Sequence, residues 1–383
     1  MKIFKNKTVF NESLDRIRYL FDEFPEVIVG VSGGKDSTVI FNLALMVAHE
    51  KKRLPLRVFF LDQEIEWKAT IDQIKRLMYH PDVKPMWMQI HFRLFNATST
   101  TDHWLDCWNP KKRETWMREK DPVAIKENIY HEDRFGKMFE AIIRVEMKGK
   151  KACYLTGVRT EESPARAMGV TYALTYKGIS WGKILNKVHQ HYTFHPIYDW
   201  SYLDVWKAIH DNKWPYNKIY DLQYMHGMKI RDMRVSNLHH ETSVKSLFYL
   251  QEAEPDTYEK ATQRIKGLDM AGKLGFEDYF IHKLPFMFVT WKDYRDYLLE
   301  KLIADPVWKA GFINKFTKMD IKYAGMNDIE IMYKMQVQSI LTNDWEFIKI
   351  RNWESTLEVY CFRKWRKIGA IPPKKENARF IPL

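Results

Sequence analysis

Glu26-Val27-Ile28-Val29-Gly30-Val31-Ser32-Gly33-Gly34-Lys35-Asp36-Ser37-Thr38 decides how this chain is read. The apolar, β-branched run ahead of Ser32 predicts a buried strand, Ser32-Gly33-Gly34 predicts a sharp turn, and the apolar stretch from Val39 to Val47 continues as a helix. A helix start presents unpaired backbone N–H groups and a partial positive charge, and glycines let an anion approach them with no Cβ in the way. Ser32, Ser37 and Thr38 add hydroxyl donors, and Lys35 adds a mobile positive charge. The stretch therefore predicts a phosphate cradle. Asp36 has two readings, a ligand for Mg²⁺ held against the phosphates or a cap for the helix it opens.

The string lacks the spacer of the Walker loop and does not spell the dinucleotide G-x-G-x-x-G. It resembles the PP-loop of the ATP-pyrophosphatase superfamily, whose members typically cleave ATP between the α and β phosphates. That resemblance implies an α/β fold of the adenine nucleotide alpha hydrolase-like kind, a parallel sheet flanked by helices, with ATP or a related adenine nucleotide as ligand.

Outward from the loop, Leu14, Ile17, Leu20 and Phe21 have helical spacing, and Pro25 closes that helix. Leu56 to Asp62 reads as a second strand, so strand, helix and strand form a right-handed βαβ unit. Ligands of open α/β sheets bind beyond the carboxyl ends of the strands, which brings Asp62, Glu64 and Glu66 toward the cradle. Of these, Asp62 is the candidate for Mg²⁺ or the nucleoside. Trp87 to Leu94 reads as a third strand. Trp104, Trp108 and Trp116 lie among basic residues between Asn96 and Lys137, either packed under a long loop or offered to nucleic-acid bases. Met138 to Met147 reads as a helix.

Cys153 to Val158 is another strand-like run, and it empties into Arg159-Thr160-Glu161-Glu162-Ser163-Pro164-Ala165-Arg166. Two arginines just past a strand end direct permanent, multi-donor charges at the crevice that the first loop lines. Glu162 orients one of them, and Ser163 can donate to an oxygen. Gly157-Val158-Arg159, Glu162-Ser163 and Arg166 are similar to a segment of the phosphoadenosine phosphosulfate (PAPS) reductases. So are His195-Pro196-Ile197-Tyr198-Asp199-Trp200, Asp204-Val205-Trp206, Pro215-Tyr216-Asn217 and Tyr220-Asp221. On that resemblance Asp199, Trp200 and Trp206 are scaffold. The nucleotide site comprises Ser32, Gly33, Gly34, Lys35, Asp36, Ser37, Asp62, Gly157, Arg159, Glu162, Ser163, Arg166, Arg231 and Arg234. Lys35, Asp36, Arg159 and Arg166 are the catalytic candidates, and Asp36 and Asp62 the candidates for Mg²⁺. PAPS reductases act through a Cys-Gly thiolate, and the corresponding stretch here, Ile230 to Glu241, contains no cysteine. Thiol-based reduction therefore lacks its nucleophile. His239 and His240 remain there as proton-transfer candidates.

The chain has 383 residues and a formal charge of +12, which points to an anionic partner and to more than one domain. Its three cysteines, Cys107, Cys153 and Cys361, are far apart. That spacing argues against a disulfide framework, a zinc ribbon or a cysteine-held cluster, and for a reducing, cytoplasmic setting. No run reaches membrane-spanning length. The alternating His189, His191 and His195 are set aside as a metal site. The domain reading is 1–245 for the nucleotide domain and 246–383 for a mainly helical, basic module. In the latter Tyr294, Tyr297, Leu298 and Leu302, and then Ile329, Met332, Tyr333, Val337 and Ile340, have helical spacing. Basic residues near the end, Arg363, Lys364, Arg366 and Lys367 with Lys374 and Lys375, suit nucleic acid or an acidic protein. The whole arrangement is similar to the bacterial and phage family of immunoglobulin-binding regulator A, a prophage co-activator with a DUF3440-type region. That resemblance implies a ParB-like partner protein and leaves open a nucleotide-binding regulator without turnover.

Overall fold

The computed structural model describes residues 6–96, 104–171, 174–235, 237–238, 250–265, 268, 283–326 and 328–355. The chain divides into two compact units, Met1–Leu94 with Asp106–Leu238 and Tyr249–Arg264, and Phe95–Leu105 with His239–Phe248 and Ile265–Leu383.

In the first unit, α1 (Val9–Glu23) starts at Thr8, whose hydroxyl accepts from the Asn11 amide at 3.2 Å. It buries Leu14, Ile17, Leu20 and Phe21 and ends before Pro25. β1 (Glu26–Gly30) leads into α2 (Lys35–Glu50), which is buried on most of its surface and packs on α1. β2 (Leu56–Leu61), α3 (Lys68–Met78) and β3 (Val83–Met88) follow. Next in the chain come the short strands β4 (Phe92–Phe95) and β5 (Trp104–Cys107), each divided between the two units, then α4 (Phe135–Glu146) and β6 (Ala152–Leu155). After α5 (Pro164–Thr171), β7 (Gly182–Asn186) and β8 (His191–Phe194) form a hairpin. α6 (Tyr202–Asp211), α7 (Ile219–Met225) and α8 (Pro255–Arg264) complete the unit.

The sheet order is β3-β2-β1-β6-β8-β7. β3, β2, β1, β6 and β8 are parallel, and β7 pairs antiparallel with β8 at the edge. Ile28 of β1 lies between Arg57 of β2 and Tyr154 of β6. The chain builds outward on one side of β1 through β2 and β3, then returns to build the other side from β6. The order therefore reverses between β1 and β6, and a crevice opens past their carboxyl ends. This is the parallel sheet flanked by helices that the first loop led us to expect.

Two expectations change in detail. The run from Trp87 to Leu94 is not one strand: β3 ends at Met88, and Gln89 turns its amide to the Ile125 carbonyl at 3.0 Å. β3 includes Pro85, which is tolerated because β3 is the edge strand of the sheet and Pro85 is registered with Val58 of β2. The helix expected from Met138 begins earlier, at Phe135. α6 is opened by Ser201, which forms a reciprocal capping box with Asp204.

The second unit is helical where described. α9 (Trp291–Lys301) starts from a Thr290–Asp293 capping box, and α10 (Pro306–Lys322) from Asp305 followed by proline. Together with α11 (Ile329–Leu341) they enclose Leu298, Phe312, Phe316, Met332, Val337 and Ile340. Arg295 is buried among them and satisfied by Asp320 at 2.9 Å and Gln336 at 2.7 Å. The proton-transfer candidates His239 and His240, and the basic terminal run with Cys361, lie outside the described residues. Among the described residues no helix is long and apolar enough to cross a membrane.

Candidate functional site

The crevice between β1 and β6 is built from two glycine turns. Gly33 has φ +72°, a conformation that favours glycine, and a Cβ there would lie 2.8 Å from Cγ2 of Thr70. Gly157 is tighter still, since a Cβ would lie 2.7 Å from the Asp36 carbonyl carbon and 3.0 Å from the Ser37 nitrogen. The turn after β6 thus rests directly on the first residues of α2.

At the start of α2, Gly34 brings no side chain to cap the helix. The Ser32 amide donates to Ser37 Oγ at 3.1 Å, and Ser37 Oγ donates to the Gly34 carbonyl at 2.9 Å. The Lys35 amide donates to the Tyr220 hydroxyl at 3.0 Å. The Lys35 ammonium is buried, donates to the Met233 carbonyl at 2.9 Å and lies 3.4 Å from Asp36. Burial lowers its pKa, the Asp36 charge opposes that, and Arg159 and Arg234 reinforce it.

Asp36 does not cap α2. Its Oδ1 pairs with Nε of the buried Arg159, whose Nη1 also donates to Glu161 at 2.9 Å. Arg166 pairs with Glu162, and its amide donates to Ser163 Oγ at 3.2 Å. Burial lowers the Arg166 pKa against the pull of Asp36, with Arg234 and Arg159 adding to the effect. Lys35, Asp36, Arg159, Arg166 and Arg234 therefore share one electrostatic neighbourhood around the N-terminus of α2. Arg231 is exposed on the turn Ile230–Asp232, and no hydrogen bond or ion pair joins it to the loop among the described residues.

Asp62 sits differently. It is fully buried past the end of β2, and its carboxylate accepts from the Glu64 amide at 2.9 Å, Trp87 at 2.8 Å, Gln89 at 2.9 Å and Arg118 at 2.6 Å. Such a carboxylate anchors the loop after β2. Glu64 is equally engaged, by the Trp108 amide at 2.6 Å and Arg264 at 3.0 Å. The two Mg²⁺ candidates offer a cation poor ligands, because Asp36 is held by Arg159 and Lys35 and Asp62 by its donors. Among the described residues no three His, Cys, Asp or Glu side chains cluster as metal ligands. Trp108 is buried and packs edge-on to Trp116 with ring centres 5.5 Å apart, the loop-packing alternative.

Several residues that shape the site were not among the site candidates read from the sequence, although some stand in the family motifs. Asn217 is buried and donates to the Gly33 carbonyl at 3.1 Å and Thr70 at 3.0 Å, fixing the turn. Tyr220 occupies the Lys35 amide, and Gln223 holds the Arg234 carbonyl at 2.9 Å, tying the Met233 segment above the loop. His195 Nδ1 lies 2.6 Å from the Thr156 hydroxyl. Burial, with Arg166 and Lys183 nearby, holds its pKa down at about 4. The scaffold residues pack as such: Asp199 takes a two-pronged contact from Arg16 at 2.8 Å, and Trp200 donates to Ser13 at 2.8 Å.

Residues 26–226, just over half of the 383, match the phosphoadenosine phosphosulfate reductase domain. The chain belongs to this family. Residues 227–360 match a second domain, DUF3440, a domain of unknown function. This PAPS reductase-like protein is 24% identical over 310 residues to YbdN of Escherichia coli strain K12, an uncharacterised protein, covering 78% of this chain and 75% of YbdN. It is 21% identical over 224 residues to adenosine 5'-phosphosulfate reductase of Lysinibacillus sphaericus, covering 58% of this chain and 79% of that one. Similar solved structures include PAPS reductase from Candida auris, at TM-score 0.35 and 13% identity over 62% of this chain and 98% of that one. FMN adenylyltransferase from Candida glabrata aligns at TM-score 0.35 and 12% identity over 57% of this chain and 62% of that one. The described cysteines, Cys107 and Cys153, lie in the interior, where burial raises both thiol pKa values.

Proposed function

We propose that this chain binds an adenine nucleotide with its phosphates over Gly33, Gly34 and Ser37 and cleaves or transfers at the α–β phosphate bond. The observation that supports this most is the packing of Gly157 on Asp36, which brings the arginine segment after β6 to the glycine loop after β1. An incoming phosphate gives the Lys35 ammonium a charged partner in place of the neutral Met233 carbonyl, beside the Asp36 carboxylate it already has. Arg159 and Arg166 add charge that stabilises the pyrophosphate leaving group as negative charge develops on it. Incubating the full chain with ATP in Mg²⁺ buffer and separating the products tests the reading. Pyrophosphate with AMP, or with an adenylylated acceptor, supports it, and ADP with orthophosphate as the sole products contradicts it.

A second reading is a regulator that binds nucleotide without turnover. The closed Lys35–Asp36–Arg159 arrangement and the formal charge of +12 favour it. It predicts ATP binding, salt-sensitive DNA binding through the basic C-terminal region, no pyrophosphate, and capture of a ParB-like protein, as the resemblance to the prophage co-activator implies. Transfer from a sulfonucleotide such as PAPS to an external thiol is a further variant of the same site. The widely spaced cysteines are consistent with a cytoplasmic setting for each of these.

A further inference from the structure

We propose that His195 is the base that takes the proton from a protic acceptor, water or a hydroxyl group, as its oxygen attacks the α-phosphorus. The inference rests on the α–β cleavage proposed above and adds the class of acceptor.

His195 is the first residue after β8, and the strand beside it is β6, whose end forms half of the crevice. The Thr156 amide donates to the Phe194 carbonyl at 3.0 Å, so the ends of the two strands are level, and Thr156 directly precedes Gly157. His195 is held through its backbone amide, which donates to the Trp181 carbonyl at 3.0 Å, and its ring through Nδ1 to the Thr156 hydroxyl at 2.6 Å. We assign the tautomer whose Nδ1–H donates to Thr156, which puts the lone pair on Nε2, where no hydrogen bond is made among the described residues. Thr156 from the end of β6 is the ring's hydrogen-bond partner, and the charges that act on it are Arg166 from α5 and Lys183 from β7. Arg166 also lies in the field of Asp36, Arg159 and Arg234, which joins the ring to the cradle.

Burial and those two cations hold the imidazole down at about 4, so the ring is neutral, with one nitrogen lone pair available, throughout the physiological range. A carboxylate acceptor brings no proton and needs no such group, whereas water or a hydroxyl does. In the step, the acceptor oxygen bonds to the α-phosphorus and its proton passes to Nε2. The bond from the α-phosphorus to the bridging oxygen breaks, and its electron pair leaves on pyrophosphate.

Single-turnover assays of the full chain with ATP, from about pH 4 to about pH 9, read the pyrophosphate rate beside ATP affinity by calorimetry. His195→Gln is expected to lower the rate by about 10²–10⁴-fold, keep ATP affinity, and abolish the decline of the rate toward acid pH. Thr156→Val, which keeps the shape and removes the partner of Nδ1, is expected to lower the rate less and to move that decline. A His195→Gln chain at the wild-type rate with the same acid decline overturns the proposal and leaves α–β cleavage standing. So does a His195→Gln chain whose rate falls only as far as its ATP affinity. A wild-type chain that binds ATP and releases no pyrophosphate overturns both.

Discussion

Gly157 packs its α-carbon against the backbone of Asp36, and a Cβ at that position would lie 2.8 Å from the Asp36 carbonyl oxygen. The obstructing atoms are main chain at the start of a helix and cannot swing aside. Gly157→Ala therefore displaces the turn after β6, and we expect a loss of about 1–3 kcal/mol in urea unfolding. ATP affinity falls with it, since Arg159 follows two residues later. An alanine variant with unchanged stability and affinity would contradict the close approach.

Arg159 is buried between Asp36 and Glu161. Its removal takes away a charge aimed at the crevice and leaves two carboxylates without their shared partner. Arg159→Ala is expected to slow pyrophosphate release by about 10²–10³-fold, the usual cost of losing one stabilising donor. Arg231→Ala, at an exposed residue with no tie to the loop, is expected to retain nearly the wild-type rate.

Asn217 offers a test of the loop's support. Its side chain donates to Gly33 and Thr70 and accepts from the Ile219 amide at 3.0 Å. Asn217→Ala leaves those buried groups unpaired and should cost about 1–3 kcal/mol in thermal or urea unfolding.

Glu66 gives a pH signature. It is buried, and one carboxyl oxygen has no partner among the described residues. Burial, reinforced by the Asp62 charge and opposed by Arg118, pushes its pKa up to about 8 from 4.5. The folded state therefore holds a proton that the unfolded chain releases. The stabilisation is complete below pH 4.5 and is lost as pH rises to about 8. Glu66→Gln copies the protonated form, so it should match the wild type at acid pH and exceed its stability at alkaline pH by roughly 1–3 kcal/mol. Parallel pH profiles for the two proteins would refute the assignment.

The strand, turn and helix around Ser32 were legible because glycine spacing and β-branched runs are local signals, and so was the arginine segment after β6. What the sequence did not disclose depends on long-range pairing. Asp62 resembles a ligand in one dimension, yet Arg118, Trp87 and Gln89 converge on it from other segments and consume its oxygens. Asp36 looks like a helix cap, yet an arginine more than a hundred residues later claims it. Tyr220 and Asn217 were visible as part of a motif, but nothing local shows that they close on residues 33 and 35. The alternating histidines suggested a metal at most, whereas His195 pairs with a threonine from the neighbouring strand.

Calorimetric titration of the full chain with ATP tests the central claim most directly, because the claim is that the turn at Ser32 and the guanidinium groups after β6 form one site for phosphates. The account predicts saturable heat with one nucleotide per chain, weakened at least tenfold, about 1.4 kcal/mol, in Arg159→Ala. Absence of heat with the folded wild-type chain, or equal binding by the Arg159→Ala variant, would contradict it.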